Sequence, residues 1–307
     1  MKILFTGASS FTGYWFVREL ARAGHDVVAV YRRTADEYEG VRRQRIDLAA
    51  SLCTQVWECS FGDDKFLELI ATQDWGMLCH HAADVTDYKS PDFDVTAAVE
   101  NNTRNLGKVL DNLQKSACNR VLLTGSVFEY NEGAGDRPLR AFSPYGLSKG
   151  LTAEMFAYHC AIRGMHLGKF VIPNPFGPYE EPRFTAYLMR TWFEKKTAGV
   201  NTPAYVRDNI HVSLLARAYS DFAQNLGAES GFSKLNPCGY IETQGAFARR
   251  FASEMSQRLG LACELDLAHQ TEFMEPRVRI NTDMPDHQKL DWDETAAWDE
   301  VAEYYRR

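Results

Sequence analysis

The chain has 307 residues, and 34 Lys and Arg against 41 Asp and Glu leave a formal charge of −7. At 45% hydrophobic and 24% charged residues the composition is that of a folded globular protein, which excludes intrinsic disorder, collagen-like repeats and coiled coil. The acidic balance argues against a dedicated nucleic-acid binder, because phosphate neutralisation needs a strongly basic surface.

No apolar run approaches the roughly 18 residues of a membrane span. The N-terminus, Met1-Lys2-Ile3-Leu4-Phe5-Thr6-Gly7, turns polar too soon for a signal-peptide core. A cytoplasmic protein with no membrane partner is expected. Seven cysteines, at 53, 59, 79, 118, 160, 238 and 263, are odd in number, scattered and without CxxC spacing, so neither a disulfide framework nor a metal site is expected.

In chain order, 2–6 reads as a short apolar strand, 7–10 as a small-residue turn and 12–23 as an amphipathic helix ended by Gly24. A second buried strand covers 25–31. Strands follow at 54–59, 75–80 and 120–124, with helices at 64–71 and, as one long element, 95–115. After a strand at 166–172, Pro173, Pro175, Pro178 and Pro182 punctuate a loop. Helices near 184–195, 212–225, 243–259 and 294–305 and a strand near 262–267 complete the chain. This alternation implies an α/β fold: a Rossmann-type doubly wound parallel sheet with a smaller C-terminal substrate-binding lobe. The first domain is expected over 1–170 and the lobe over 171–307, with segments near 205–238 returning to the core domain.

The turn Thr6-Gly7-Ala8-Ser9-Ser10-Phe11-Thr12-Gly13 lies between strand and helix, where a dinucleotide pyrophosphate meets a helix N-terminus. Gly7 permits the tight turn and Gly13 lets the helix pack on the strand. The second strand ends in Tyr31-Arg32-Arg33, where an NAD-binding chain usually has an acidic residue for the ribose hydroxyls. Arginine there suits the 2′-phosphate of NADP through charge-assisted hydrogen bonds. With Arg42, Arg43 and Arg45 nearby, a solvated basic turn is the plainer alternative.

Tyr145 and Lys149, in Ser143-Pro144-Tyr145-Gly146-Leu147-Ser148-Lys149-Gly150, stand four apart. On a helix they share a face, so the ammonium can stabilise the phenolate. A phenol with an ordinary pKa near 10 needs that help to act as acid or base at neutral pH. The spacing alone is also common on ordinary exposed helices.

Further segments are Asp63 in Phe61-Gly62-Asp63-Asp64, His81-Ala82-Ala83 after the fourth strand, Asn101 in the long helix and Ser126 after the fifth strand. Asn174-Pro175-Phe176-Gly177-Pro178 and Arg207-Asp208-Asn209-Ile210-His211-Val212 follow. In this order the segments resemble the extended short-chain dehydrogenase/reductase family, also called the NAD-dependent epimerase/dehydratase family, over nearly the whole chain.

The resemblance implies Tyr145 as general acid/base, Lys149 lowering its pKa and bonding the nicotinamide ribose, and Ser126 hydrogen-bonding the reacting group, with Thr124 its rival. It implies a cofactor site of Gly7, Ser9, Ser10, Phe11, Thr12, Gly13, Arg32, Arg33, Asp63, Asp64, His81, Ala82, Ala83, Asn101, Thr124, Tyr145, Lys149 and Pro173. Val85, Ser126, Asn174, Arg207 and Arg277 would face a nucleotide-diphosphate sugar, with Arg279 a further diphosphate candidate. A homodimer is also implied.

Three departures bear on the reaction. Ser10 replaces the middle glycine of the usual fingerprint. Ser126 is followed by Val127 and Phe128 rather than the acidic pair of sugar 4,6-dehydratases, which argues against that elimination, while Glu129 is close enough in sequence to reach a cleft. Ser213 and Leu214 replace the usual Asp after His-Val. The leading expectation is an NADP-dependent reductase of a keto group on a nucleotide-linked sugar. The alternatives are a nucleotide-sugar 4-epimerase or non-4,6 dehydratase with NAD or NADP, and a non-catalytic cofactor-sensing protein.

Overall fold

The computed structural model describes residues 1–306. The chain runs β1 (Lys2–Thr6), α1 (Phe11–Arg22), β2 (Asp26–Val30), α2 (Gly40–Ala49), β3 (Thr54–Val56), α3 (Asp64–Ala71), β4 (Met77–His80), α4 (Val95–Asn102), α5 (Leu106–Lys115) and β5 (Arg120–Ser126). It continues through β6 (Ala134–Gly135), α6 (Pro144–Ala161), β7 (His166–Ile172), β8 (Asn174–Phe176), α7 (Phe184–Phe193), β9 (Ala198–Val200), β10 (Val206–His211) and α8 (Val212–Asn225). The last elements are β11 (Gly231–Leu235), β12 (Tyr240–Thr243), α9 (Gln244–Leu259), β13 (Leu265–Leu267), β14 (Arg279–Ile280) and α10 (Glu294–Arg306). None of the described helices is long and apolar enough to cross a membrane.

The chain divides into two compact units. The first comprises Met1–Glu132, Arg140–Ile172 and Ala216–Leu235. It holds a seven-stranded sheet in the order β11-β7-β5-β4-β1-β2-β3, parallel throughout. This is the Rossmann-type doubly wound sheet. Strand order reverses between β1 and β4, which leaves a crevice beyond their carboxyl ends. Buried on both faces, β1, β4 and β5 are almost continuously apolar (Ile3-Leu4-Phe5, Met77-Leu78-Cys79, Val121-Leu122-Leu123). Leu4, Leu78, Val121 and Leu123 meet Phe66 and Ile70 of α3, Val109, Leu110 and Leu113 of α5, and Phe156 of α6 in one core.

The second unit comprises Gly133–Leu139, Pro173–Leu215 and the chain from Asn236. Its three-stranded sheet runs β12-β10-β8, with β12 antiparallel and β8 parallel to β10. A core of its own gathers Phe176, Trp192, Phe247, Phe251 and Trp298. The returning segment is therefore shorter than the 205–238 expected. β10 stays with the second unit because it pairs with β8 and β12, and only Ala216–Leu235, ending in β11 against β7, rejoins the first.

One expected element divides. The long helix over 95–115 is two helices, α4 and α5, with Asn105 between them at φ 51°. The Asn105 side-chain amide donates to the Gly62 carbonyl at 2.8 Å. A side chain at Gly62, itself at φ +73°, would lie 1.9 Å from the Arg104 carbonyl oxygen. The helix stops where the backbone after β3 passes against it.

Candidate active site

The glycine-rich turn between β1 and α1 is built around close backbone approach. A Cβ at Gly7 would stand 2.7 Å from the Ala82 amide nitrogen, and one at Gly13 2.1 Å from the Gly7 carbonyl oxygen. Ser10, where a glycine was expected, is the N-cap of α1: its hydroxyl accepts from the Gly13 amide at 3.1 Å and donates to the Gly7 carbonyl at 2.8 Å. A capping serine leaves the amides of Phe11 and Thr12, at the first two helical positions, aimed out of the helix end, where an anion is favoured. The Ser9 carbonyl on the turn's other side accepts from Nε of Arg45, a fully buried α2 residue, at 3.0 Å. The solvated-turn reading fails for Arg45, whereas Arg32 and Arg33 are exposed just beyond β2.

His81 connects this turn to the strand end beside it. Its Nε2 lies 3.0 Å from the hydroxyls of both Ser10 and Thr12, and its Nδ1 3.0 Å from the Thr124 hydroxyl. Burial, helped by the Lys149 charge, pushes the His81 pKa down to about 3, so the ring is neutral at ordinary pH. Ser10 already spends its hydrogen on the Gly7 carbonyl. The neutral ring carries one hydrogen, so it donates from one nitrogen and accepts at the other, joining Ser10 and Thr12 on one side to Thr124 on the other. Thr6 finishes the crossing of β1 and β4, its hydroxyl accepting from the amides of His81 and Ala82 at 3.2 and 3.1 Å.

The Thr124 carbonyl accepts from the Lys149 ammonium at 2.6 Å. Lys149 is buried on α6, and burial pushes its pKa down to about 8, with Glu129 pulling it up and Lys169 pushing it further down. Tyr145, one turn earlier, is half-buried. Its helix starts at the Ser143 cap, whose hydroxyl accepts from the Gly146 amide at 3.3 Å. Edge-on contacts to Tyr88 and Phe93, at 5.5 and 6.1 Å between centroids, orient the ring. Ser126 ends β5, and its hydroxyl accepts from the Phe128 amide at 3.2 Å. Of the two rivals on β5, Thr124 has its hydroxyl engaged inside the fold by His81.

The remaining expected residues of the first unit are placed as follows. Both carboxylate oxygens of Asp63, the α3 N-cap, accept 2.7 Å bonds from the amides of Ser60 and Phe66, and Asp64 follows in the first turn. Asn101 is exposed and donates to Asp84 at 3.0 Å. Its neighbour Asn102, which the sequence reading passed over, is buried, accepts from the Asp84 amide at 2.8 Å and donates to Thr152 of α6 at 3.3 Å. Ala83 and Val85 lie on the segment leaving β4, Val85 exposed. Glu129 reaches no cleft: it has no exposed surface and is bonded to the Ser126 amide and Lys169.

The second unit carries Pro173, Asn174, Arg207 and Arg277. Asn174 opens β8 opposite Asn209. The Arg207 guanidinium stacks 4.4 Å from the Tyr205 ring centroid, bonds Glu275 at 3.0 Å and donates to the carbonyls of Val206, Pro276 and Arg277 at 3.0, 3.0 and 3.3 Å. Arg277 is exposed, 5.2 Å above the Phe273 ring centroid, whereas Arg279 is fully buried. Among the described residues no group of three or more His, Cys, Asp or Glu could hold a metal ion.

Residues 3–231 match the sequence model of the NAD dependent epimerase/dehydratase family. No curated protein matches the chain in a sequence search. Among solved structures, UDP-glucose 4-epimerase of Thermotoga maritima, solved with UDP-glucose, superposes with a TM-score of 0.74 at 18% identity, covering 100% of this chain and 99% of that one. UDP-glucuronic acid 4-epimerase of Bacillus cereus, in complex with UDP-glucuronic acid and NAD, gives 0.72 at 16% identity, with 100% and 99% covered. dTDP-glucose 4,6-dehydratase of Streptomyces venezuelae, with NAD bound, gives 0.70 at 18% identity, with 100% and 97% covered. At such identities the likeness is one of fold.

Proposed function

Because the chain belongs to the NAD-dependent epimerase/dehydratase family, we propose that it is an NADP-dependent oxidoreductase that reduces a keto group on a nucleotide-linked sugar. The observation that carries this reading is the buried Lys149 ammonium, 2.6 Å from the Thr124 carbonyl and one helical turn from Tyr145. A positive charge held there favours the Tyr145 phenolate over the phenol, so the tyrosine can give and retake a proton near neutral pH. Ser126 offers a hydroxyl at the adjacent strand end to fix the reacting oxygen.

The residues present fit a dinucleotide. Gly7 lets the turn close against the Ala82 backbone, where a Cβ would clash, the α1 N-terminus points its amides outward, and exposed Arg32 and Arg33 suit a 2′-phosphate. When bound, the nicotinamide supplies or accepts the hydride. Tyr145 supplies the matching proton at the substrate oxygen, and Lys149 keeps the resulting phenolate charge compensated. Asn174, Arg207 and Arg277 are proposed for the substrate diphosphate. We propose the same chain as a cytoplasmic homodimer.

A second reading is a nucleotide-sugar 4-epimerase that retains NAD. It is supported by the structural likeness to two 4-epimerases, one in complex with NAD. Purified protein incubated with UDP-glucose or its 4-keto derivative separates the two. Net loss of NADPH absorbance with the keto sugar supports the reductase, whereas interconversion of 4-epimers without change in added NADPH supports the epimerase. Under either reading Tyr145→Phe should lower kcat about 10²- to 10⁴-fold, and full turnover in that variant would sink the acid/base assignment.

A further inference from the structure

Glu129 has no solvent exposure and no part in the acid/base chemistry above. Its Oε1 accepts the Ser126 amide at 2.7 Å and its Oε2 the Lys169 ammonium at 2.6 Å. Lys169 reaches in from β7, the strand beside β5, and also bonds Glu132 at 2.7 Å, whose second oxygen accepts from Lys234 of β11 at 3.1 Å. Glu132 and Lys169 are buried as well. The fold is shaped around this group, since a Cβ at Gly125 would stand 2.8 Å from Lys169 Cε and 3.0 Å from Glu129 Oε1. Stability alone does not call for it, because apolar side chains of similar volume often replace a buried ion group at no loss. Its place between Thr124, which holds Lys149, and Ser126 points to another use.

We propose that Glu129 and Lys169 are a positioning pair for the reacting residues: Glu129 clamps the Ser126 amide, and the two opposed charges together set the protonation of the Lys149 ammonium. The inference rests on the reading of Tyr145 and Lys149 given above. Lys149 feels both members, Glu129 favouring its charged form and Lys169 opposing it. His80 and His81 at the end of β4 also feel the Lys149 charge, and Tyr145 stands one turn earlier on the same helix. Burial, with the Lys149 charge second, holds both histidines neutral with pKa values pushed down to about 3, so neither competes in charge.

Glu129→Gln keeps an oxygen for the Ser126 amide while removing the anion, and Lys169→Met removes the cation. The Lys149 titration is read directly by NMR in protein labelled with ¹³C at lysine Cε, its resonance assigned with Lys149→Arg. Glu129→Gln should move that titration to lower pH by about one unit and Lys169→Met should move it to higher pH. The alkaline limb of kcat should follow in each case, with KM for the sugar nucleotide changed less than about twofold. Opposite displacements support the pair, because a merely structural role has no reason to change sign with the charge removed. No movement, or movement in the same sense, overturns it, and if one variant does not fold the sign from the other decides. Active Tyr145→Phe together with opposite displacements defeats the functional reading and leaves the pair standing; inactive Tyr145→Phe with an unmoved titration does the reverse.

Discussion

A neutral His81 joins the cap of α1 to the strand end that holds Lys149. Removing its imidazole leaves buried hydroxyls without their partner, a cost of about 1–3 kcal/mol. His81→Leu should therefore unfold at lower urea and bind the proposed cofactor, NADPH, roughly tenfold more weakly, by fluorescence titration, since about 1.4 kcal/mol of misalignment is that factor; unchanged stability and affinity would refute the connection. His80 and His81 also set an acid limit. Burial, with the Lys149 charge second, depresses both pKa values from 6.5 to about 3. Both residues take up protons on unfolding once pH drops below about 6.5, so stability is full above that pH and is lost as pH falls toward about 3. His81→Gln should lose less of it over that interval. Tyr145 and Lys149 were legible in the sequence because four residues along one helix is a local spacing. The partners of His81 were not: Ser10 and Thr124 lie 71 and 43 residues away, and Lys169 lies 40 from Glu129, distances that only sheet register closes.

At the scale of elements, the alternation of strand and helix was legible wherever one segment decides its own state, as in β1, α1 and β2. It failed at 103–105, where continuous helical periodicity is broken by a contact with Gly62, 43 residues from Asn105. Gly62 and Gly24 test that account, because both sit at positive φ, +73° and +81°, yet only Gly62 has backbone against its Cβ position, while Gly24 has nothing within 4 Å. Gly24→Ala should cost only the left-handed strain of about 1–2 kcal/mol. Gly62→Ala adds a clash with the Arg104 carbonyl that no side-chain rotation relieves, for a total of about 3 kcal/mol or more. Urea midpoints of the two variants check this, and equal losses would mean that the helix break is not held by the Gly62 contact.

For the whole molecule, the most informative surface is the outer face of α6. Leu147, Leu151, Met155, Tyr158 and Ile162, at spacings of four, four, three and four, are all exposed, while Lys149, Ala153, Phe156 and Cys160 of the same stretch are buried. With apolar residues on both faces the helix loses the one-sided periodicity that marks an amphipathic element, which is why the stripe was not legible in the sequence. An apolar line of this kind on a helix can be self-complementary about a twofold axis, so in the proposed homodimer a second copy of the chain would cover it with the same residues. The charge of −7 per chain opposes association only weakly, because physiological salt screens it beyond about 8 Å. The proposed dimer should therefore persist at moderate salt and depend on this stripe. Leu151→Glu with Met155→Glu places four charges in the twofold contact and should give monomers by sedimentation velocity at micromolar concentration, with the urea midpoint of the isolated chain little changed because both sites are solvent-facing in the monomer. A double variant that stays dimeric would move the proposed interface away from α6, and a wild-type chain that sediments as a monomer would remove the dimer altogether.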